Sequence, residues 1–87
     1  MSAAATAAAW AAPDLQPTHR LVLLALAEGA DPDGAGITVH LAKLAGLTGL
    51  SSRTVHAAVD SLTTAGRLRL VEGESRGLPA VYGIPLA

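Results

Sequence analysis

The chain has 87 residues, of which 51% are hydrophobic and 15% are charged; it contains no cysteine, and its formal net charge is −1. This composition favours one small packed domain over a disordered chain, and it excludes disulfides and cysteine-ligated metal sites. The longest strongly apolar run, residues 21–27, is far shorter than the roughly 20 residues of a membrane span, and the acidic balance argues at first against a nucleic-acid partner.

The first thirteen residues are dominated by alanine and end at Pro13. Alanine favours helix, but so short a helix is marginal in water unless it packs against something. The segment also lacks the basic and leucine-rich regions of a signal peptide, so we expect a cytoplasmic protein. We interpret residues 1–13 as a flexible or docking arm, in which Trp10 could anchor a helical turn against the domain or a second copy. Residues 14–87 then form the domain.

The first helix of the domain is predicted in HRLVLLALAEG, residues 19–29, with Thr18 as its N-cap and Gly29 just past its end. All of residues 21–27 are apolar, so this helix is apolar almost all round. One stripe can face the core, while Leu23, Leu26 or Ala27 remains to be covered by another part of the molecule. This surplus, with the Ala-rich arm, predicts a homodimer formed through helix 19–28 and the arm.

A loop of turn residues, ADPDGAG, leads to a very short strand at Ile37 and then to a second helix, VHLAKLAG. Thr38 is the expected cap of this helix, and its leucines recur at helical spacing. Gly46 and Gly49 are expected to interrupt the chain after it.

A third helix is predicted over about residues 52–65, with Ser51 as its cap and Gly66 at its end. Helical spacing places four apolar residues on one buried stripe: Val55, Ala58, Val59 and Leu62. The opposite, polar face carries Arg53, Ala57, Asp60 and Thr64, flanked by Ser52, Thr54 and His56.

The chain ends in a predicted β-hairpin. RLRLV alternates as a half-buried strand with Leu68 and Leu70 on one face, EGESRG supplies a turn, and LPAVYGI is the return strand with Tyr82 in the core. The fold class is therefore mainly α with a small β-hairpin, an α+β chain. Charge is unevenly distributed along it: residues 37–69 hold four basic residues and one acidic residue, a net +3.

The segment LAKLAGLTGLSSRTVHAAVDSLTTAGRLRLV resembles the winged helix-turn-helix DNA-binding proteins, among them small bacterial, plasmid and phage regulators and replication-initiator-like domains. The resemblance covers about Leu15 to Pro85. It implies a three-helix core with a two- to three-stranded wing sheet. One departure is the insertion Leu47-Thr48-Gly49, which makes the turn, or the end of the second helix, about three residues longer than usual.

This resemblance implies a sequence-specific double-stranded DNA-binding protein, with helix 52–65 in the major groove and the wing, residues 72–77, on the adjacent minor groove or backbone. Arg53 is the expected reader of guanine, and His56 could bond a base or a phosphate. Phosphates are the expected partners of three hydroxyl residues, Ser51, Ser52 and Thr54. Ala57 is expected to allow close approach of the helix. The DNA backbone is the expected partner of Thr38, His40, Arg67 and Arg76. Asp60 is expected to lie beyond the duplex; the alternatives are a contact to cytosine and an ion pair with Arg53 or another arginine.

The expected biological role is transcriptional regulation or repression, or replication control, in the bacterial cytoplasm and on the nucleoid. The alternative is a winged-helix protein-interaction module that does not touch DNA, which the acidic wing residues Glu72 and Glu74 favour. Nothing indicates an enzyme, a cofactor or a metal site: the three histidines lack the companion residues of metal or catalytic motifs, and GLTGLSSR lacks the lysine of a phosphate-binding loop.

Overall fold

The computed structural model of the chain describes residues 2–86, which form four α-helices and three short strands. In chain order these are α1 (Ala3–Ala11), α2 (Pro17–Glu28), β1 (Ile37–Thr38), α3 (Leu41–Thr48), α4 (Ser52–Thr64), β2 (Arg69–Glu72) and β3 (Val81–Gly83). The strands form one antiparallel sheet with β3 in the middle. The described residues are therefore an α+β domain, in agreement with a mainly helical chain carrying a small sheet, and they contain one helix more than the predicted three-helix core.

Helix α2 begins at Pro17, because the fixed φ of proline suits the first turn of a helix, and Gln16 occupies the N-cap position. The prediction that Thr18 caps this helix is therefore wrong, since Thr18 lies inside its first turn. The apolar side chains that the sequence left in need of a cover are all buried within the chain, namely Leu23, Leu26 and Ala27.

Part of that cover is α1, the Ala-rich segment. Ala5 and Ala9 are fully buried, one helical turn apart, and belong to the same core as the residues of α2. Their small side chains allow the two helix backbones to approach closely. Trp10 does not anchor α1 within the chain, because 64% of its surface is exposed. These three side chains of α2 therefore need no second copy of the chain to cover them, and the predicted homodimer stays a prediction.

Hydrogen bonds fix both ends of α1. At its start, Ser2 Oγ accepts from the Ala5 N–H at 3.0 Å and donates to the Pro32 carbonyl at 3.4 Å. At its end, Arg20 Nη1 donates to the carbonyl oxygens of Ala9 (2.8 Å) and Trp10 (3.0 Å). Terminal carbonyls of a helix lack intrahelical partners, so a cation placed there is favourable. The short helix is thus stabilised by packing and by both of its caps.

The loop between α2 and β1 is hydrogen-bonded to residues near both ends of the described chain. Its Pro32 carbonyl accepts from Ser2, and its Gly34 carbonyl accepts from the Ile84 N–H at 2.8 Å. The loop itself is closed by a bond from the Gly34 N–H to the Asp31 carbonyl at 2.8 Å.

Helix α3 starts after His40, which occupies its N-cap position, and Thr38 does not cap it. Thr38 stays extended because it pairs with Val81 in the sheet, and its Oγ1 lies 3.2 Å from His40 Nε2. Gly46 does not interrupt this helix, contrary to the prediction, since α3 continues to Thr48. Of the three residues Leu47-Thr48-Gly49, the first two therefore belong to α3 and Gly49 is its C-cap, and the connection to α4 consists of residues 49–51.

Helix α4 agrees closely with its predicted bounds, with Ser51 as N-cap and Ala65 as C-cap. Its end is a Schellman motif: the Arg67 N–H bonds the Leu62 carbonyl at 2.9 Å around Gly66, whose φ is +76°. The predicted apolar stripe is confirmed, because all four of its side chains are buried in the core: Val55, Ala58, Val59 and Leu62.

Strand β2 lies at the edge of the sheet, and all four of its residues are exposed. Leu68, just before it, is buried, but Leu70 is 50% exposed, so the prediction that the two leucines share one buried face is wrong for Leu70. Leu70 is opposite Tyr82 while Glu72 is opposite Val81, which leaves Val71 as an extra residue, a β-bulge. A bulge increases the local twist and helps protect an edge strand from unwanted pairing.

Two glycine substitutions should change stability in opposite directions. Gly46→Ala should raise the free energy of unfolding by about 1 kcal/mol, because Gly46 lies inside α3 and an added Cβ would meet no atom within 4 Å. Gly66→Ala should lower it by about 1–2 kcal/mol, because a side chain disfavours the left-handed backbone at that position. Urea unfolding measures both values; changes of the same sign would contradict the observed ends of α3 and α4.

Candidate nucleic-acid interface

The N-terminal end of α4 is exposed on the domain surface. Ser51, Ser52, Arg53 and Thr54 are all exposed, whereas Val55 is fully buried. The exposed face continues along the helix through His56, Ala57 and Asp60. This arrangement follows from the apolar stripe, which packs one face of α4 on α2 and α3 and leaves the opposite face free of the core.

The hydroxyls at this end of α4 have different roles. Ser51 Oγ accepts from the Thr54 N–H at 3.1 Å and donates to Thr54 Oγ1 at 2.9 Å. A phosphate oxygen accepts hydrogen bonds but cannot donate, so Ser51 could bond a phosphate only by giving up its contact with Thr54. Thr54 keeps its own hydroxyl hydrogen, and Ser52 is exposed beside it. Ser51 is therefore a capping residue, and Ser52 and Thr54 are the available donors.

His56 pairs with Asp60 on the next turn of α4, since His56 Nδ1 lies 3.5 Å from Asp60 Oδ2. None of the three roles considered for Asp60 from the sequence included this partner. Both side chains line a cleft between α4 and the β2–β3 hairpin, together with Glu74, Pro79 and Tyr82.

His40 lies beside the turn of the same hairpin. It lines a depression with residues 74–79, which include Arg76. The structure therefore brings the start of α3, the exposed face of α4 and the hairpin together on one side of the domain. Thr38 reaches this region through its contact with His40.

The hairpin turn places Arg76 at its tip. Ser75 and Leu78 exchange backbone hydrogen bonds of 3.3 and 2.8 Å, and the two residues between them, Arg76 and Gly77, have φ values of 47° and 78°. Two central residues with positive φ define the type I′ turn that suits a two-residue hairpin. Glycine and asparagine adopt this backbone readily, but arginine does so at an energetic cost.

Arg67 does not join this surface. It follows the C-terminal end of α4, whereas Arg53 lies at the N-terminal end, and the helix between them is about 20 Å long at 1.5 Å per residue. Arg67 instead lines a depression with Ala8, Ala12 and Ile84, next to α1.

Sequence reasoning missed the cleft between α4 and the hairpin. Glu74 and Asp60 are fourteen residues apart, and no local periodicity places them together; the hairpin register and its bulge do so. The sheet likewise brings His40 to the hairpin turn that contains Arg76, because β1 pairs with β3 just before α3 begins.

The chemistry available at this surface is hydrogen bonding and ion pairing. Among residues 2–86 no group of three His, Cys, Asp or Glu side chains is placed to hold a metal ion, and none of the helices there is long and apolar enough to cross a membrane. Comparison of the chain with known protein families, curated proteins and solved structures found no match. Its function is therefore inferred from its own residues.

Replacing Arg76 by asparagine should stabilise the domain. The Asn-Gly pair is the preferred type I′ sequence, so Arg76→Asn should raise the free energy of unfolding by about 0.5–1 kcal/mol. Arg69→Asn is the matched control, because Arg69 lies in the extended strand β2, where asparagine is unfavourable. Urea unfolding of both variants tests this, and an equal or greater gain for Arg69→Asn would contradict it.

Proposed function

We propose that this chain is a winged helix-turn-helix protein that binds double-stranded DNA in a sequence-specific way. One observation carries the proposal: α4 is supported by a buried apolar stripe while its N-terminal end and polar face are exposed. The major groove of B-DNA admits an α-helix, provided that the helix stands clear of the rest of its domain. In this proposal α2, α3 and α4 are the three-helix core, and β1, β2 and β3 form the wing sheet.

The exposed residues of α4 have side chains suited to a base edge and to phosphates. The guanidinium of Arg53 can donate to both O6 and N7 of guanine, and His56 follows one turn later, with Asp60 Oδ2 3.5 Å from its Nδ1. Ser52 and Thr54 supply donors to phosphate oxygens, and the partial positive charge at the start of α4 favours the same anion. Ala57 permits close approach of the helix to the groove.

The wing extends the contact surface beyond α4. Arg76 at the hairpin tip would reach the DNA backbone or the adjacent minor groove. His40 lines a depression with the residues of this turn, and Thr38 contacts His40, so both would contact the same strand. The positive φ of Arg76 supports this role, because backbone strain is retained where a particular side chain is useful. The biological use we propose is transcriptional repression or replication control in the bacterial cytoplasm.

A second candidate function is protein binding without DNA contact. The observation that favours it is the cleft between α4 and the wing, where Asp60 and Glu74 place two carboxylates. These carboxylates would repel a phosphate, whereas a basic segment of a protein partner would be attracted to them.

Selection from a random duplex library separates the two functions. If the chain binds DNA in a sequence-specific way, the selection should enrich one sequence. Arg53→Ala should then lose about 1–3 kcal/mol of binding free energy on that sequence and relax the base preference at one position. Arg76→Ala is the matched arginine variant, because a backbone contact should weaken binding equally on all sequences. Circular dichroism should show both variants folded, as both side chains are exposed. The absence of enrichment, with unchanged folding, would favour the protein partner.

The salt dependence of DNA binding should be shallow. Of six basic side chains, Arg20 and Arg67 lie next to α1, which leaves four that could neutralise phosphates. The logarithm of affinity should therefore fall with the logarithm of salt concentration with a slope no steeper than about −4 per chain. Fluorescence anisotropy across a salt series measures this slope, and a much steeper value would contradict this placement of charge.

A further inference from the structure

The helices α1 and α2 share an outward face with opposite charges at its two ends. On α2, Arg20, Leu24 and Glu28 are spaced by four residues and lie on one stripe. Arg20 bonds the C-terminal end of α1, and Glu28 lies beside Ala3 at its N-terminal end, so the two helices run antiparallel.

Between these charges lies a shallow groove that is mainly apolar. It is lined by Ala3, Thr6, Ala7, Trp10, Leu24 and Glu28. Helix α1 contains no charged residue, and its largest side chain, Trp10, is 64% exposed. Nothing on this helix repels another uncharged helix, and the small side chains allow a close approach.

We propose that this groove is the contact surface for a second copy of the chain, with the α1 helices of the two copies antiparallel across a two-fold axis. Such an axis places the Arg20 end of one copy beside the Glu28 end of the other, so both ends gain an attraction between opposite charges. Arg20 retains donors for this purpose, because only Nη1 is used in its bonds to α1. A parallel arrangement would instead bring like charges together.

The same two-fold symmetry would bury the exposed ring of Trp10 against the other copy. In the antiparallel arrangement the C-terminal end of α1 lies over the N-terminal half of its partner, so each Trp10 ring packs over Ala3 and Ala7 of the other copy. Tryptophan is enriched among residues whose truncation strongly weakens an interface. This inference goes beyond the proposed function and does not depend on it, since α1 and its groove lie outside the helix and hairpin assigned to DNA.

Sedimentation equilibrium without DNA tests the proposal. The wild-type chain should sediment with about twice the mass of one chain at micromolar concentration, and Trp10→Ala should weaken the dimer by about 30-fold or more. Leu47→Ala is the matched control, because Leu47 is a similarly exposed apolar residue on α3 and should leave the dimer unchanged. A wild-type mass of one chain at all concentrations, or a dimer weakened by Leu47→Ala and not by Trp10→Ala, would overturn the proposal.

A charge reversal tests the antiparallel arrangement. Glu28→Lys should weaken the dimer, and more strongly at low salt than at high salt, because the introduced ammonium group would then face Arg20 of the other copy. Glu72→Lys makes the same change on β2 and should have no effect. Dilution should also shift the emission of Trp10, the single tryptophan, to longer wavelength as the ring returns to water. Equal effects of the two reversals, or unchanged emission during dissociation, would contradict this interface.

Discussion

The packing of one face of α4 against the core determines which of its side chains are exposed to a partner. Val55, Ala58, Val59 and Leu62 are buried against α2 and α3, and burying a side chain of the size of Leu62 contributes about 1.5–3 kcal/mol. The rotation of α4 about its axis is set by these contacts, so the direction of each polar side chain is set as well. Weakening this stripe would therefore disturb the exposed face without changing any residue on it.

The core that holds α4 is small and has no phenylalanine, so it depends on aliphatic contacts and on alanine. Helix α1 adds fully buried alanines to this core at little cost in side-chain entropy. Its outer face, by contrast, retains Trp10. The two faces of this short helix thus differ: the inner face stabilises the domain, and the outer face is the surface on which we propose that a second copy binds.

Local patterns in the sequence predict the helices better than the sheet. The spacing of apolar residues places the buried stripe of α4 correctly, and Ser51 and Gly66 mark its ends. Thr38, by contrast, does not cap α3, because it pairs with the distant Val81 in the sheet. Gly46 is not the break that its residue type suggests, because its φ is not positive and a glycine inside a helix costs only about 1 kcal/mol relative to alanine. The exposure of Leu70 and the cleft formed by Asp60 and Glu74 depend on a bulge and on strand register, which are set by distant residues. The function proposed for this surface remains a prediction.

The loop after α2 couples two segments that are far apart in the chain. Ser2 and Ile84 both donate hydrogen bonds to its carbonyls, through Pro32 and Gly34. Local opening of this loop would release the Ser2 hydroxyl, next to the start of α1, and the Ile84 amide, just after β3, in a single event. The first and last parts of the described chain are therefore expected to exchange their amide hydrogens as one cooperative unit, although more than eighty residues separate them.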